Sequence, residues 1–182
     1  MARIPRKSLD SSYFHVVVQG FEKQFIFKKK FFKKQYLSLL LKGLGKYKVE
    51  ILSYCIMDNH AHILLFCENI DEMSKFMKEV NTQFALLYNK INDRVGYVFR
   101  DRFLSEPIKN EKYLFNCISY IHMNPVEAGM TATPGEYKYS SYNDFINNCG
   151  IVNESMLKKI FGSSKDYLEM FQFIHGSIRG WN

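Results

Sequence analysis

Residues 48–67, KVEILSYCIMDNHAHILLFC, contain the clearest structural pattern in this chain. Two runs rich in β-branched, aromatic and other apolar residues flank Asp58-Asn59, and that pair is a turn signal. The segment therefore predicts a β-hairpin with strands at 48–57 and 60–67. A similar apolar run at 13–19, YFHVVVQ, predicts another strand before the hairpin.

Two amphipathic helices are predicted around this hairpin. In the first, at 28–46, lysines oppose an apolar face that would consist of Phe31, Phe32, Leu37, Leu40, Leu41 and Leu44. In the second, at 71–89, the apolar face would consist of Met73, Phe76, Met77, Val80, Phe84 and Leu87.

Further elements are expected after the second helix. A fourth strand lies within 97–108, and a third helix runs from an Asn110 cap to about Asn124, where Pro125 is expected to disturb or end it. The first six elements, β-α-β-β-α-β, match the split βαβ pattern. We therefore predict an α+β protein with a ferredoxin-like antiparallel sheet, two helices on one face, a third helix and a small helical tail.

The whole chain limits the domain count and the cellular setting. Its 182 residues suit one domain, which we place at 1–145, with 146–182 as a helical extension of unassigned role and short helices near 153–161 and 165–175. No apolar run is long enough to cross a membrane, and the N-terminus lacks the apolar segment of a secretory signal, so we expect a cytoplasmic protein. The four cysteines form no C-x-x-C pair and are expected to be reduced core thiols.

The charge favours an anionic partner. The net charge is +7, and nucleic acid is the commonest partner of basic proteins. Aromatic residues make up 16% of the chain, and aromatic side chains can stack on unpaired bases, although most are expected in the core.

His60 and His62 are the first candidates for chemistry. Alternate residues on a strand point to one face, so these two imidazoles project together while Ala61 and Ile63 face away. Paired imidazoles can begin a metal site. From spacing alone, the alternative of two solvent-bonded histidines at a sheet edge stays open.

The predicted third helix carries a second candidate group. Tyr120 and Asn124 are four residues apart and share one helix face, whereas His122 points to the opposite side. A carboxamide oxygen can ligate a hard metal ion, and a phenol can act as a nucleophile. A half-buried helical tyrosine and a C-terminal cap would suit the same residues. His15 and His175 have no identifiable partner and are expected to be structural.

Together, these segments resemble the HUH single-tyrosine transposases. His60-Ala61-His62 is similar to the histidine-hydrophobic-histidine motif, and residues 120–126, YIHMNPV, resemble the Y-x-x-x-N-P-V segment of the REP-associated branch. Other similar positions are Tyr13-Phe14-His15-Val16, Gly20, Phe99-Arg100-Asp101-Arg102-Phe103, Ala128-Gly129 and Tyr139-Ser140-Ser141-Tyr142. The resemblance extends from about Arg3 to Tyr142.

The resemblance implies a role for each matching residue. His60, His62 and Asn124 would ligate Mg²⁺ or Mn²⁺, and Tyr120 would be the nucleophile. Attack by Tyr120 would leave a 5′-phosphotyrosine link and a free 3′-hydroxyl. The partner would be single-stranded or hairpin DNA. Some relatives are homodimers whose tyrosine helix serves the partner's metal site, so both a monomer and a homodimer stay open.

Basic residues supply candidate DNA contacts, which are Arg3, Arg6, Lys7, Lys29, Lys33, Arg100 and Arg102. The last two are expected to alternate on the fourth strand. Phosphate contacts raise affinity without reading the base sequence, and the simplest alternative for the lysines is a solvated helix face.

Two other functions stay open: a domesticated hairpin-binding protein of the same fold, and a metal-dependent nuclease that uses water. A covalent protein–DNA adduct distinguishes the transposase from both.

Overall fold

The order of elements in the computed structural model is the predicted one. The structure describes residues 11–147, 150–161, 169 and 172–173. Its elements are β1 (Tyr13–Gln19), α1 (Lys30–Leu44), β2 (Glu50–Ile56), β3 (His60–Phe66), α2 (Ile70–Ile91), β4 (Leu104–Pro107), α3 (Glu111–Glu127), α4 (Tyr142–Asn147) and α5 (Glu154–Phe161). Short 3₁₀ turns lie at Phe21–Lys23 and Pro134–Glu136.

The strands form one antiparallel sheet in the order β2-β3-β1-β4. The predicted hairpin is present, and Met57 N donates to His60 O at 2.9 Å across its turn. Because β3 lies between β2 and β1, the second strand of the hairpin inserts beside the first strand of the chain, as in a split βαβ sheet. The α+β, ferredoxin-like class is confirmed.

One face of the sheet is covered by α1 and α2. The Phe84 ring of α2 lies 4.9 Å from that of Phe27 and 5.3 Å from that of Tyr36, measured between centroids. Gly43 of α1 lies against Phe76, where a Cβ atom would come within 2.6 Å of the ring. Glycine at this position therefore lets the two helices approach closely enough to seal the aromatic core.

The core-facing side of α1 is narrower than predicted: Phe32 and Leu40 are buried, and Leu37 and Leu44 pack against the core, but the remaining two predicted residues do not. Phe31 and Leu41 are 47% and 55% exposed, whereas Lys33 is buried. The Lys33 ammonium donates to Asp58 at 2.5 Å and to the Tyr137 hydroxyl at 2.9 Å. Lys33 is therefore a paired core residue beneath the β2–β3 turn, which corrects its assignment as an exposed candidate for DNA contact.

The opposite face of the sheet is covered by α3 and α5. A β-bulge in β2 between Ile51 and Ser53 shifts the alternation, so both Leu52 and Ser53 contribute to this side. α5 joins the same layer through Leu157, and Asn153 N donates to Ile51 O at 2.8 Å. The first predicted tail helix is thus present, packed on the sheet, while the second, at 165–175, falls almost entirely outside the described residues. The boundary at residue 145 stays a prediction.

α3 begins as predicted and ends later than predicted. Asn110 caps it, with its side chain accepting from Tyr113 N at 2.8 Å. Pro125 does not end the helix, which continues to Glu127. Proline removes one backbone donor, but the last turn is closed by Ala128 N donating to Asn124 O at 3.0 Å. Among the described residues, no helix is long and apolar enough to span a membrane.

β4 is shorter than the predicted strand. It comprises only Leu104–Pro107, so Arg100 and Arg102 lie in the irregular segment that precedes it. An isolated bridge joins Phe99 to Gly20, and Arg100 N donates to Gln19 O at 2.9 Å. The two arginines are exposed, but the expectation that they alternate on a strand is wrong because regular pairing begins only at Leu104.

Candidate active site

The two histidines of β3 lie on the face covered by α3. Their ring centroids are 4.8 Å apart and the ring planes are nearly perpendicular, at 89°. Ala61 and Ile63, which alternate with them, belong to the aromatic core on the other side of the sheet. The common direction of His60 and His62 therefore follows from strand alternation, as the sequence predicted.

Each of these imidazoles has its Nδ1 atom in a hydrogen bond. His60 Nδ1 lies 2.6 Å from the Asn59 side-chain oxygen, which can only accept, so Nδ1 carries the hydrogen. The second nitrogen of neutral His60, Nε2, then keeps its lone pair. His62 Nδ1 lies 2.9 Å from His15 Nε2. A hydrogen bond at one ring nitrogen, with the other nitrogen left for the ion, is the usual arrangement of metal-ligating histidines.

His15 has a partner that the sequence analysis did not find. Its ring stacks on that of His62, with centroids 5.1 Å apart and planes at 23°. The β1–β3 register pairs Val17 with His62, which brings His15 to the same region of the sheet. The expectation that His15 lacks a partner is wrong. The detectable signal was the pattern of β1, where His15 and Val17 share one face and Phe14 and Val16 share the other.

Burial favours the neutral form of each histidine in this cluster. It lowers the pKa of His60, and it lowers the pKa of His15 against an opposing effect of the Glu106 carboxylate. Burial, together with the repulsion that protonated His60 and His15 would exert, lowers the pKa of His62 to about 2. Neutral imidazole is the form that binds a metal ion, so the electrostatics of the cluster suit a ligand set.

α3 places Tyr120 beside these histidines. Its ring lies edge-on, with centroids 5.3 Å from His62 and 6.0 Å from His15. The side chain is 43% exposed. All three residues line one open cavity of about 430 Å³, whose wall also includes Leu104, Glu106, Tyr113 and Asn116. The phenol therefore opens onto the same space as His62.

Tyr113 is a second tyrosine on this cavity. Its hydroxyl lies 3.4 Å from Glu106 Oε2. Burial and the nearby charge of Glu106 raise the pKa of Tyr113, which disfavours its phenolate. Tyr120, with its ring against His62, is the better-placed nucleophile of the two.

Asn124 lies one helical turn beyond Tyr120. Its side-chain nitrogen donates to Tyr120 O at 2.8 Å, which leaves the amide oxygen as the remaining acceptor. No group of three His, Cys, Asp or Glu side chains in the described part of the chain is placed to hold a metal ion. Asn124, the third ligand that the family resemblance implies, does not line the cavity that His62 and Tyr120 share. Two neutral imidazoles and an amide oxygen fit a divalent ion that retains water ligands.

His122 supports α3 from the side away from the cavity. Its Nε2 lies 3.1 Å from Ser53 Oγ of β2 and 2.8 Å from Ser141 Oγ. Ser141 Oγ also accepts from Tyr54 N at 2.9 Å. This buried polar layer fixes α3 on the sheet and so determines where Tyr120 stands. Ser141, in the Tyr-Ser-Ser-Tyr segment, therefore has a structural role.

Exposed cations and aromatic rings occur near the His60 end of the sheet. Gly20 N donates to Asn59 O at 2.8 Å, which joins the loop after β1 to the turn before His60. This loop and the segment before β4 expose Phe25 (62%) and Tyr97 (82%). Three of the predicted DNA contacts, Lys29, Arg100 and Arg102, are exposed in these segments. Arg3, Arg6 and Lys7 lie outside the described residues.

Comparison with known proteins assigns the chain to a family. The family model described as "Transposase IS200 like" matches residues 8–124, which include the histidine pair, Tyr120 and Asn124. The chain belongs to the IS200-like transposase family. The resemblance seen in the sequence is thereby confirmed at the level of the family.

Two individual proteins are similar to this member of the family. A Haemophilus influenzae protein named "Putative REP-associated tyrosine transposase" is 28% identical over 107 residues. That match covers 53% of this chain and 61% of the relative, so it spans less than two thirds of the relative's length. The solved structure of a REP-associated tyrosine transposase bound to a REP hairpin has a TM-score of 0.66 at 17% identity, covering 81% of this chain and 86% of that one. This second likeness confirms the fold.

Proposed function

We propose that this protein is a metal-dependent transposase that cleaves and rejoins single-stranded DNA through Tyr120, near a DNA hairpin. The observation that carries the proposal is the Tyr120 ring at 5.3 Å from the His62 ring, in a cavity open to solvent. A nucleophile and a candidate metal ligand that share one accessible space are what strand cleavage at a phosphodiester requires.

His60, His62 and Asn124 would hold the metal ion, which is Mg²⁺ or Mn²⁺ in this proposal. When bound, such an ion polarises a phosphate oxygen and offsets the charge that develops at phosphorus. The chain's own contribution is to keep the imidazoles neutral and oriented. Asn59 does this for His60 through its side-chain oxygen, at 2.6 Å from Nδ1.

Tyr120 would supply the attacking oxygen. Its Oη forms a bond to phosphorus while the bond from phosphorus to the 3′-oxygen breaks. The leaving strand takes up a proton as a free 3′-hydroxyl, and the phenol proton passes to solvent or a base. The 5′-phosphotyrosine retains one phosphodiester bond, so another 3′-hydroxyl can reverse the step and join strands without ATP.

The surface beside the site suits an unpaired nucleic acid. Exposed Lys29, Arg100 and Arg102 would contact phosphates, and exposed Phe25 and Tyr97 are side chains on which bases can stack. The relative of similar fold is described as bound to a REP hairpin. We therefore include hairpin DNA among the proposed ligands of this protein.

The test is a covalent-adduct assay. Single-stranded DNA from the flanks of the gene, labelled at its 3′ end, is incubated with the protein and Mn²⁺ and then separated by denaturing electrophoresis. Because the protein would stay on the 5′-phosphate, the 3′ label should move to the protein. A 5′ label should instead appear on a shorter, free strand.

Matched variants identify the nucleophile. Tyr120→Phe should lose the labelled protein band, whereas Tyr113→Phe, which alters the second tyrosine of the cavity, should keep it. Cleavage without any labelled protein would support a water-using nuclease instead. Hairpin binding without cleavage in either metal would support a domesticated binding protein.

A further inference from the structure

His15 is a buried polar residue that family membership leaves without an assigned role. It is 9% exposed, and its Nε2 lies 2.9 Å from Nδ1 of His62, with the two rings stacked. The bonded atom of His62 is not the one proposed to face the metal ion. His15 therefore contacts a candidate ligand from behind, as outer residues of metal sites commonly do.

We infer that His15 is a positioning residue, which holds the His62 ring and the hydrogen on its Nδ1 so that Nε2 is left for a metal ion. This inference rests on the proposed function for its consequence, because the ion belongs to that proposal. The hydrogen-bond geometry itself is independent of the reaction.

The hydrogen bond between His15 and His62 allows two positions of the hydrogen, and only one of them leaves His62 Nε2 able to bind a metal ion. If His62 Nδ1 donates to His15 Nε2, the lone pair of His62 stays on Nε2. If His15 Nε2 donates instead, neutral His62 carries its hydrogen on Nε2 and that nitrogen cannot ligate an ion. The first arrangement matches His60, whose Nδ1 must donate to the Asn59 side-chain oxygen. Both histidines would then keep the lone pair on Nε2.

The strands on both sides of β1 provide neighbours that restrain the His15 side chain. β1 lies between β3 and β4, so His15 has His62 on one flank and its β4 partner Glu106 on the other. Glu106 lines the same cavity and provides negative charge beside the His15 ring. Together with burial and stacking, these neighbours limit the rotation of His15.

Two amide substitutions separate positioning from packing. In His15→Gln the amide oxygen reaches about as far as Nε2 and can still accept from His62 Nδ1. In His15→Asn the shorter side chain stops near the place of Nδ1 and cannot. We expect Mn²⁺ affinity, measured from the electron paramagnetic resonance signal of free Mn²⁺, to fall about 10- to 100-fold in His15→Asn and to stay within about threefold in His15→Gln.

The second measurement needs no variant, metal or DNA. Long-range ¹H–¹⁵N correlation spectra of the unsubstituted, metal-free protein assign the hydrogen on each ring, and we expect His62 to carry it on Nδ1. A hydrogen on His62 Nε2, or a folded His15→Asn with unchanged Mn²⁺ affinity, would overturn the inference. If the unsubstituted protein binds no Mn²⁺ yet His62 is protonated on Nδ1, the metal proposal fails while the assigned geometry of His15 stands.

Discussion

The two faces of the sheet differ in what they bury. The face under α1 and α2 is lined by aromatic side chains that are almost fully buried, among them Phe27, Phe76 and Phe84. The face under α3 mixes aliphatic residues with buried polar groups and opens at the cavity beside Tyr120. Both faces thus bury apolar side chains, but only the face under α3 also places reactive groups near solvent.

On the face under α3, called the polar face below, buried polar side chains are held in place by hydrogen bonds to one another. His62 bonds to His15, and His122 bonds to Ser53 and Ser141. Buried polar groups are costly when left alone but restrict a structure to one geometry when they are paired. Hydrogen bonds between buried polar groups therefore position the site on the α3 face, whereas aromatic packing dominates the opposite face.

The largest effect on stability should come from the aromatic face. Phe84→Ala removes a fully buried ring that contacts several others, and should lower the free energy of unfolding by about 3–5 kcal/mol. Tyr120→Ala, at a 43% exposed position, should cost less than about 1 kcal/mol. Urea denaturation of both variants measures the contrast. Similar losses in the two variants would mean that Tyr120 contributes more to stability than its exposure indicates.

For DNA cleavage, in contrast to stability, the large effect should come from a residue of the polar face. His60→Ala removes a proposed metal ligand, so adduct formation should slow by about 100-fold or more. That factor corresponds to a rise of about 2.7 kcal/mol in activation free energy. Its unfolding free energy should change by less than about 1 kcal/mol, since His60 is only half-buried. Single-turnover adduct assays and urea titrations test the pair of values. His60 is preferred to His62 here because removing His62 also leaves His15 unpaired.

Asn124→Ala should have a smaller effect on the same reaction. Water can replace one neutral oxygen ligand, so we expect about a tenfold loss in adduct formation, partly restored by raising the Mn²⁺ concentration. Tyr120→Phe provides the control, because added Mn²⁺ cannot replace a missing nucleophile. A rate for Asn124→Ala that equals that of the unsubstituted protein at limiting Mn²⁺ would remove Asn124 from the ligand set.

The sequence predicted the sheet, its helices and the common direction of the two histidines for a physical reason. Strand alternation and turn chemistry are local, so the hairpin at 48–67 and the common direction of His60 and His62 could be deduced from spacing. The buried face of α2 also follows from a local period, and Met73, Phe76 and Phe84 are buried as expected. The family resemblance then linked these residues to Tyr120.

The errors concern contacts between distant parts of the chain. The burial of Lys33 depends on Asp58 and Tyr137, 25 and 104 residues away, and nothing in a lysine-rich helix indicates such partners. His15 meets His62 across 47 residues, in a register that the sequence does not determine. Pattern and spacing describe an element by itself, whereas these features arise only once the elements are packed.

The smallest predicted effect concerns the exposed cations at the rim of the polar face. Arg100→Ala and Arg102→Ala should each weaken binding of a hairpin with a single-stranded flank by about threefold at moderate salt, because a phosphate contact is electrostatic and solvated. Each should also reduce the slope of log affinity against log salt by about 0.7–1, the share of one released counterion. Lys78→Ala, which removes an exposed cation from α2 on the aromatic face, is the matched control and should change neither quantity. Fluorescence anisotropy at several salt concentrations gives both values for each variant. Equal slopes in all three variants would show that DNA does not approach along the segment before β4, and the contact surface would then have to be sought elsewhere around the cavity.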